Sequence, residues 1–272
     1  MMFLALLLAS LFLGTQASNC KQAWCGAGTG AWYRADTACE ISNFAYTTTH
    51  VCFPTEVIAG ADPSNEGFYL SLGVYSTKTG HGLDVGLTLS GPSARAPYTW
   101  AAYANDEVGW KSAPLSVDTS EYPCVDLSLE AGDNNITFAM TAPTSEQKAT
   151  RSRLGAFTYT GVDPQLNLNK EGKALGFYLF FSVAQNKENT TEGAIMRGGS
   201  YSQWAVATNR QAALIPVDST RVGKPSGYAP GPCCSPAEVA TIHVASSSPF
   251  YAAAIDFAYV DGADDGRTTT TQ

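Results

Sequence analysis

The sequence has few charged side chains and no strongly basic segment. Charged residues make up 15% of the 272 residues, and the formal net charge is −8. An average soluble domain carries roughly 25% charged residues. The nearest approach to a basic cluster lies among the scattered cations of residues 148–173, which we interpret as a soluble loop. The composition therefore argues against nucleic acid and against an anionic membrane surface as partners.

Long apolar runs are missing beyond the N-terminus. A transmembrane helix needs about 18 or more apolar residues, and no later segment supplies them. The apolar run from Phe3 to Leu13 is shorter and is followed by small residues, which predicts a secretory signal peptide over residues 1–18. The tail 261–272 is acidic and threonine-rich, so it gives no hydrophobic anchor signal. We expect a secreted, extracellular protein without a transmembrane segment.

The familiar enzymatic motifs are also missing. The sequence has no Gly-x-Ser-x-Gly elbow, no His-Glu-x-x-His pair and no glycine-rich phosphate loop ahead of a helix. Its three histidines are His50, His81 and His243, and the local patterns favour structural positions for the last two. A Ser-His-Asp site assembled in space stays open, because such triads need no fixed order along the chain.

Cysteine usage agrees with export. Four of the seven cysteines fall within residues 19–55, which we interpret as a cysteine-rich N-terminal segment. In an oxidising compartment structural disulfides are the default, with pairing that spacing alone leaves open. The candidates are Cys20, Cys25, Cys39, Cys52, Cys124, Cys233 and Cys234. An odd number leaves one thiol free or available for a covalent dimer. Asn135 and Asn189 lie in N-glycosylation triplets.

Alternation of apolar and polar residues predicts strands through most of the chain after residue 40. Clear examples are Phe68–Tyr75, Leu83–Leu89, Val125–Leu129, Ile136–Met140 and Gly176–Val183. Turn residues recur every 8–12 positions, which is typical of a sandwich or barrel. The fold class is therefore predicted to be all-β and antiparallel.

Short matches recur in the same order at offsets of 100 to 109 residues. The sequence Gly-Phe-Tyr-Leu occurs at 67–70 and again at 176–179, and Trp100 matches Trp204. We interpret this as two tandem β-sandwich units over residues 56–145 and 155–260. A single larger sandwich whose buried strands resemble one another is the alternative.

One aromatic segment is the strongest candidate for a binding site. Between Tyr98 and Trp110, aromatic side chains alternate with small residues and with amide or acidic side chains. Rings that stack on a sugar face, beside polar groups that take its hydroxyls, suit a glycan. The predicted contact residues are Trp100, Tyr103, Asn105 and Trp110. The alternative is that the tryptophans belong to the core.

Carboxylates give weaker signals. Asp106, Glu107 and Asp118 are the residues that a hydrolase reading would use, although adjacent side chains of an extended segment point apart. The acidic stretch from Asp261 fails the EF-hand pattern at its third and twelfth positions. No catalytic residue and no metal ligand are assigned from the sequence.

Residues 125–138 carry a family resemblance. The run from Val125 through Gly132 and Asn134 to Phe138, preceded by the strand at 67–75, resembles the strand-turn-strand of galactose-binding-like β-sandwiches, notably carbohydrate-binding modules of families 6 and 35. The resemblance covers mainly residues 67–140. It implies jelly-roll-like units, a sugar site on loops that uses residues such as Trp110, and room for a structural calcium.

These observations predict a secreted, non-enzymatic protein that recognises a glycan or a cell-surface or matrix component. Two alternatives stay open. One is a secreted β-sandwich hydrolase that acts on polysaccharide, and the other is a structural coat or matrix component cross-linked through the odd cysteine.

Overall fold

The computed structural model describes most of the chain between residues 32 and 259. The described residues are 32–37, 44–60, 63–106, 109–143, 153–166, 168, 175–185, 194–218, 221–222, 226–228, 238–247 and 250–259. Among them, sixteen strands form two antiparallel sheets. The expected all-β antiparallel sandwich is therefore confirmed.

The first sheet has seven strands, which are numbered here in chain order. From one edge to the other they are β14 (Ser226–Tyr228), β1 (Trp32–Asp36), β11 (Leu175–Gln185), β4 (Glu66–Ser76), β5 (Gly82–Ser90), β6 (Thr99–Asp106) and β7 (Gly109–Asp118). The long strands β11 and β4 lie near its middle and pair in register along their whole length.

The second sheet has nine strands. Its main path is β10 (Arg153–Thr160), β9 (Asn135–Thr141), β8 (Cys124–Ala131), β2 (Tyr46–Cys52), β12 (Ile195–Ala207), β16 (Phe250–Tyr259) and β15 (Glu238–Ser247). Two short strands, β3 (Glu56–Ile58) and β13 (Ile215–Pro216), also pair with β12.

The predicted strands lie where the alternation placed them. The segments 68–75 and 83–89 fall inside β4 and β5, and 125–129 and 136–140 fall inside β8 and β9. The turn expected between the last two is closed by the amide of Gly132, which donates to the carbonyl of Asn135 at 2.9 Å. Period-two patterning succeeds here because one face of each strand packs on the core.

The core lies between the two sheets and includes two tryptophans. Trp100 comes from β6 in the seven-stranded sheet and Trp204 from β12 in the nine-stranded sheet, and both are fully buried. The ring of Trp100 lies 5.8 Å from that of Phe53, and the indole of Trp204 donates to Thr47 Oγ1 at 3.0 Å. The match between these tryptophans therefore reflects shared core packing.

Strand pairing joins the two predicted tandem units to each other. Strand β4, from 56–145, pairs with β11, from 155–260, and β9 pairs with β10 in the same way. The two Gly-Phe-Tyr-Leu segments thus lie on adjacent antiparallel strands of one sheet. Both halves contribute strands to both sheets.

Strand pairing also accounts for one disulfide. Cys52 in β2 and Cys124 in β8 are direct cross-strand partners and are bonded to each other, with Cα atoms 4.0 Å apart. The other five cysteines and Asn189 lie outside the described residues.

Within the described part of the chain, no helix is both long and apolar enough to cross a membrane.

Candidate functional site

A row of polar and aromatic side chains crosses the seven-stranded sheet on the face that points away from the core. Its members are cross-strand neighbours, and the residues that flank Tyr178, Gly73 and Asp84 on their strands are buried in the core. The pairs are Asp36 with Tyr178, Tyr178 with Gly73, Asp84 with Asn105, and Asn105 with Trp110. We call this set, residues 36, 178, 73, 84, 105 and 110, the outer row.

Gly73 allows the two sides of the outer row to meet. A Cβ at this position would collide with the ring of Tyr178, so the missing side chain leaves room for the phenol to lie over the strand. The hydroxyl of Tyr178 then donates a hydrogen bond to Oδ1 of Asp84. A glycine in the middle of a strand therefore connects β11 to β5 across β4.

An arginine packs over the same tyrosine. Cζ of Arg34 lies 3.7 Å from the ring centroid of Tyr178, a cation–π distance, and its Nε donates to Oδ1 of Asp36 at 2.6 Å. Arg34 and Asp36 are alternate residues of β1, so their side chains lie on one face. The arginine supplies positive charge near both carboxylates of the outer row.

The opposite end of the outer row is aromatic. The rings of Tyr103 and Trp110 are stacked, with centroids 4.5 Å apart and planes 10° apart. Tyr69 contacts both rings edge-on, and Ser71 Oγ shares a hydrogen bond with the Tyr103 hydroxyl. Trp110 is 45% exposed, whereas Tyr103 beneath it is buried. The indole therefore presents an apolar surface to solvent on a supported base.

Burial controls the electrostatics of the outer row. Desolvation raises the pKa of Asp84, and the hydrogen bond from Tyr178 and the charge of Arg34 oppose that rise. Desolvation and then the negative charge of Asp84 also raise the pKa of Tyr103 and Tyr178 well above the ordinary value. Asp84 consequently takes up a proton at higher pH than a free aspartate, which suits a group that both gives and accepts protons.

The predicted contact residues separate onto two faces. Tyr103, Asn105 and Trp110 lie together on the outer face, and the last two belong to the outer row. Trp100 points the other way into the core, so it cannot join them in contacting a ligand. The odd spacing of three residues between Trp100 and Tyr103 in β6 decides this, because successive side chains of a strand face opposite sides.

Of the carboxylates expected for a hydrolase, Asp106 and Asp118 lie at opposite ends of the β6–β7 pair. Asp106 accepts hydrogen bonds from the Tyr159 hydroxyl at 3.0 Å and from the amides of Gly109 and Asp163. Burial, followed by Asp106, raises the pKa of Tyr159 to about 12. Asp118 is partly exposed, and the hydrogen bonds from Ser120 lower its pKa. Glu107 lies outside the described residues.

One group of side chains comes close enough to suggest metal coordination. The ligand atoms of His50, Cys52 and Cys124 lie within 4.8 Å of one another. The two sulfur atoms are bonded to each other, however, so they do not offer thiolate ligands in this form. The structural calcium stays a prediction. Asn135, in one of the two predicted glycosylation triplets, is the first residue of β9 and is partly buried.

Sequence reasoning missed Asp84, Tyr178 and Arg34. A signal was available, because Gly73 and Gly176 interrupt otherwise apolar strands and each faces a tyrosine across the strand pair. A strand glycine marks a place where another group approaches closely. The hydrogen-bond acceptor of Tyr178, which is Asp84, could not be identified without the strand register.

No protein-family model matches the chain, and no curated protein matches it. Several solved structures are similar to it. A scytalido-glutamic peptidase with a transition-state analogue inhibitor has a TM-score of 0.49 and 12% identity, covering 85% of this chain and 98% of its own. SCP-B, a member of the eqolisin peptidase family in complex with the tripeptide Ala-Ile-His, has a TM-score of 0.42 and 11% identity over the same shares. A glycosyl hydrolase family protein from Mycobacterium fortuitum has a TM-score of 0.32 and 13% identity, covering 63% and 60%.

These matches correct the expected function. The first expectation was a non-enzymatic glycan-binding or matrix recognition protein, and it is wrong on this comparison because the structures matched over most of the chain are peptidases. The resemblance of residues 67–140 to galactose-binding-like modules stays a prediction.

Proposed function

We propose that this chain is a hydrolase whose active site is the outer row, with Asp84 as its proton-transferring group. The observation that carries the proposal is the partly buried carboxyl of Asp84, held by Tyr178 and placed beside the amide of Asn105. Directly opposite residues of an antiparallel pair have Cβ atoms about 4.5–5.5 Å apart on one face. A carboxyl and an amide at that separation can act on the same scissile group.

The chemistry favours an amide bond over a glycosidic bond. Glycosidases generally place two carboxyl groups on either side of the bond that breaks. In the outer row the cross-strand partner of Asp84 is an amide, and the second carboxyl, Asp36, is engaged by Arg34. One carboxyl and one amide donor are instead suited to the attack of water on a carbonyl carbon. The proposed substrate class is therefore a peptide.

Each group has a defined role. Asp84 accepts a proton from the attacking water and returns it to the leaving amine, which a carboxyl with a raised pKa can do. The amide of Asn105 donates a hydrogen bond to the oxygen on which negative charge develops. Trp110, exposed on top of Tyr103, offers an apolar surface for a substrate side chain beside the reacting bond. Tyr178 and Arg34 position the carboxyl.

Export belongs to the same proposal. The predicted signal peptide, the cross-strand disulfide and the two glycosylation triplets favour an enzyme that works outside the cell. The site itself needs no cofactor for the steps described above.

The test uses the secreted full-length chain with a mixed peptide library, read by mass spectrometry from acid to neutral pH. We expect cleavage of peptides by the wild type and a loss of about 10²- to 10⁴-fold in kcat for Asp84→Asn. Asp118→Asn, which changes a partly exposed carboxyl at the end of β7, is the matched control and should keep full activity. Trp110→Ala should raise KM more than it lowers kcat.

Two results would overturn the proposal. One is intact peptides at every pH with folded wild-type protein, and the other is an Asp84→Asn variant as active as Asp118→Asn. A parallel assay for reducing sugar released from polysaccharides separates the substrate classes. Sugar release without peptide cleavage would contradict the assignment of a peptide substrate.

A further inference from the structure

A second constellation lies on the outer face of the other sheet. Strands β2 and β8 are direct neighbours there, and two cross-strand pairs follow one another on the same face: His50 with Asp126, and Cys52 with Cys124. All four side chains are partly exposed, at the alternate positions of strands whose other positions are buried. A small molecule in solution can therefore reach them.

The four side chains are ordered as carboxylate, imidazole and sulfur. Nδ1 of His50 lies 2.8 Å from Oδ1 of Asp126, and Nε2 of the same ring lies 3.5 Å from Sγ of Cys52. With Asp126 accepting from Nδ1, the ring nitrogen that faces the sulfur is Nε2. The carboxylate orients the imidazole, and the imidazole can exchange a proton with the sulfur beside it. The same order of groups activates cysteine nucleophiles and leaving groups.

We propose that Cys52–Cys124 is a reactive disulfide that exchanges with low-molecular-weight thiols, with His50 as its proton donor and acceptor. Exchange proceeds by attack of a thiolate on one sulfur and departure of the other, and the better-stabilised thiolate leaves faster. Cys52 has the imidazole beside it, so Cys52 is the leaving group and Cys124 is the sulfur attacked. Asp126 holds the ring in position.

The reaction balances with glutathione as the thiol. Its thiolate attacks Sγ of Cys124, the Cys52–Cys124 bond breaks, and the electron pair goes to Sγ of Cys52, which takes a proton from Nε2 of the His50 imidazolium. A second glutathione thiolate then attacks the glutathione sulfur of the mixed disulfide and releases Cys124 as a thiolate, which takes a proton from water. Two glutathione molecules are oxidised to their disulfide, and the protein disulfide becomes two thiols. In the reverse direction His50 takes the proton of the Cys52 thiol.

The location gives the exchange a structural consequence. Strand β2 lies between β8 and β12, so it connects strands β10, β9 and β8 to the rest of the nine-stranded sheet. The disulfide links β2 to β8 over a sequence separation of 72. Reduction removes a covalent link between two central strands of the nine-stranded sheet. The site is separate from the outer row, which lies on the other sheet, so it does not depend on the proposed hydrolase activity.

The test measures how fast the disulfide opens in the oxidised full-length chain. Glutathione is added, samples are quenched and alkylated, and the peptides that contain Cys52 and Cys124 are quantified by mass spectrometry. We expect His50→Gln to slow opening by about tenfold or more and Asp126→Asn to slow it less. His81→Gln, which alters the other histidine–aspartate pair in the described residues, is the matched control and should react like the wild type.

A second measurement needs only the wild type. The trapped mixed disulfide should carry glutathione on Cys124 and not on Cys52, a selectivity that a merely structural histidine would not produce. Equal adducts on the two cysteines, or a His50→Gln variant that opens at the wild-type rate, would overturn the proposal.

Discussion

The outer faces of the two sheets are built in different ways. Along β8 in the nine-stranded sheet, burial alternates strictly, so one face meets the core and the other meets water. Along β4 in the seven-stranded sheet, almost every position is buried, including those on the outer face. On the seven-stranded sheet, tyrosine rings occupy the space that side chains at Gly67, Gly73 and Gly176 would fill. A sheet face can thus be covered by its own side chains, which brings carboxylates and phenols together in a low dielectric.

The largest stability effect should come from filling the space above β4. In Gly73→Ala the new methyl group meets the Tyr178 ring, so the ring must leave its position over the strand and its bond to Asp84 is lost. Overpacking of this kind costs about 1–3 kcal/mol. Ser128→Ala, on the partly exposed face of β8, is the matched change and should cost under about 0.5 kcal/mol. Urea unfolding of both variants measures the difference, and equal losses would mean that the two faces are built alike.

A smaller effect should appear in the dependence of stability on pH. Because burial raises the folded pKa of Asp84 above its ordinary value of 3.8, the native state holds a proton that the unfolded state has released. The free energy of unfolding should therefore fall as pH rises from about 3.8 through the folded pKa of Asp84. Asp84→Asn removes this contribution, so its profile should be flatter in that window. Denaturation midpoints of wild type and variant across acid pH make the comparison, and parallel profiles would contradict it.

The smallest effect is expected on the nine-stranded sheet. Thr137 and Thr158 share an exposed hydrogen bond of 3.0 Å between β9 and β10. Thr158→Ala removes this bond and keeps the glycosylation triplet at Asn135 intact. Cross-strand pairs on an exposed face contribute about 0.2–1 kcal/mol. A thermal unfolding curve should show a loss within that range, and a loss as large as that of Gly73→Ala would remove the contrast between the faces.

The fold was more predictable than the site. Alternation located the strands that became β4, β5, β8 and β9, because one face of each packs on the core whatever its partner is. The same patterning singled out the aromatic segment in which Tyr103, Asn105 and Trp110 lie. It could not show that Trp100 lies on the opposite face of the strand. Which of the two alternating sets of side chains belongs to the core depends on which face the other sheet covers.

Amino-acid sequence alone determined the secondary structure class, the candidate cysteines and the predicted export signal, because these depend on neighbours within a few residues. Tertiary structure decided which halves of the chain share a sheet, that Tyr178 reaches Asp84 across Gly73, and that His50 lies between Asp126 and Cys52. Each of those contacts joins strands through a pairing register. A shift of one residue in that register would turn every side chain involved to the opposite face.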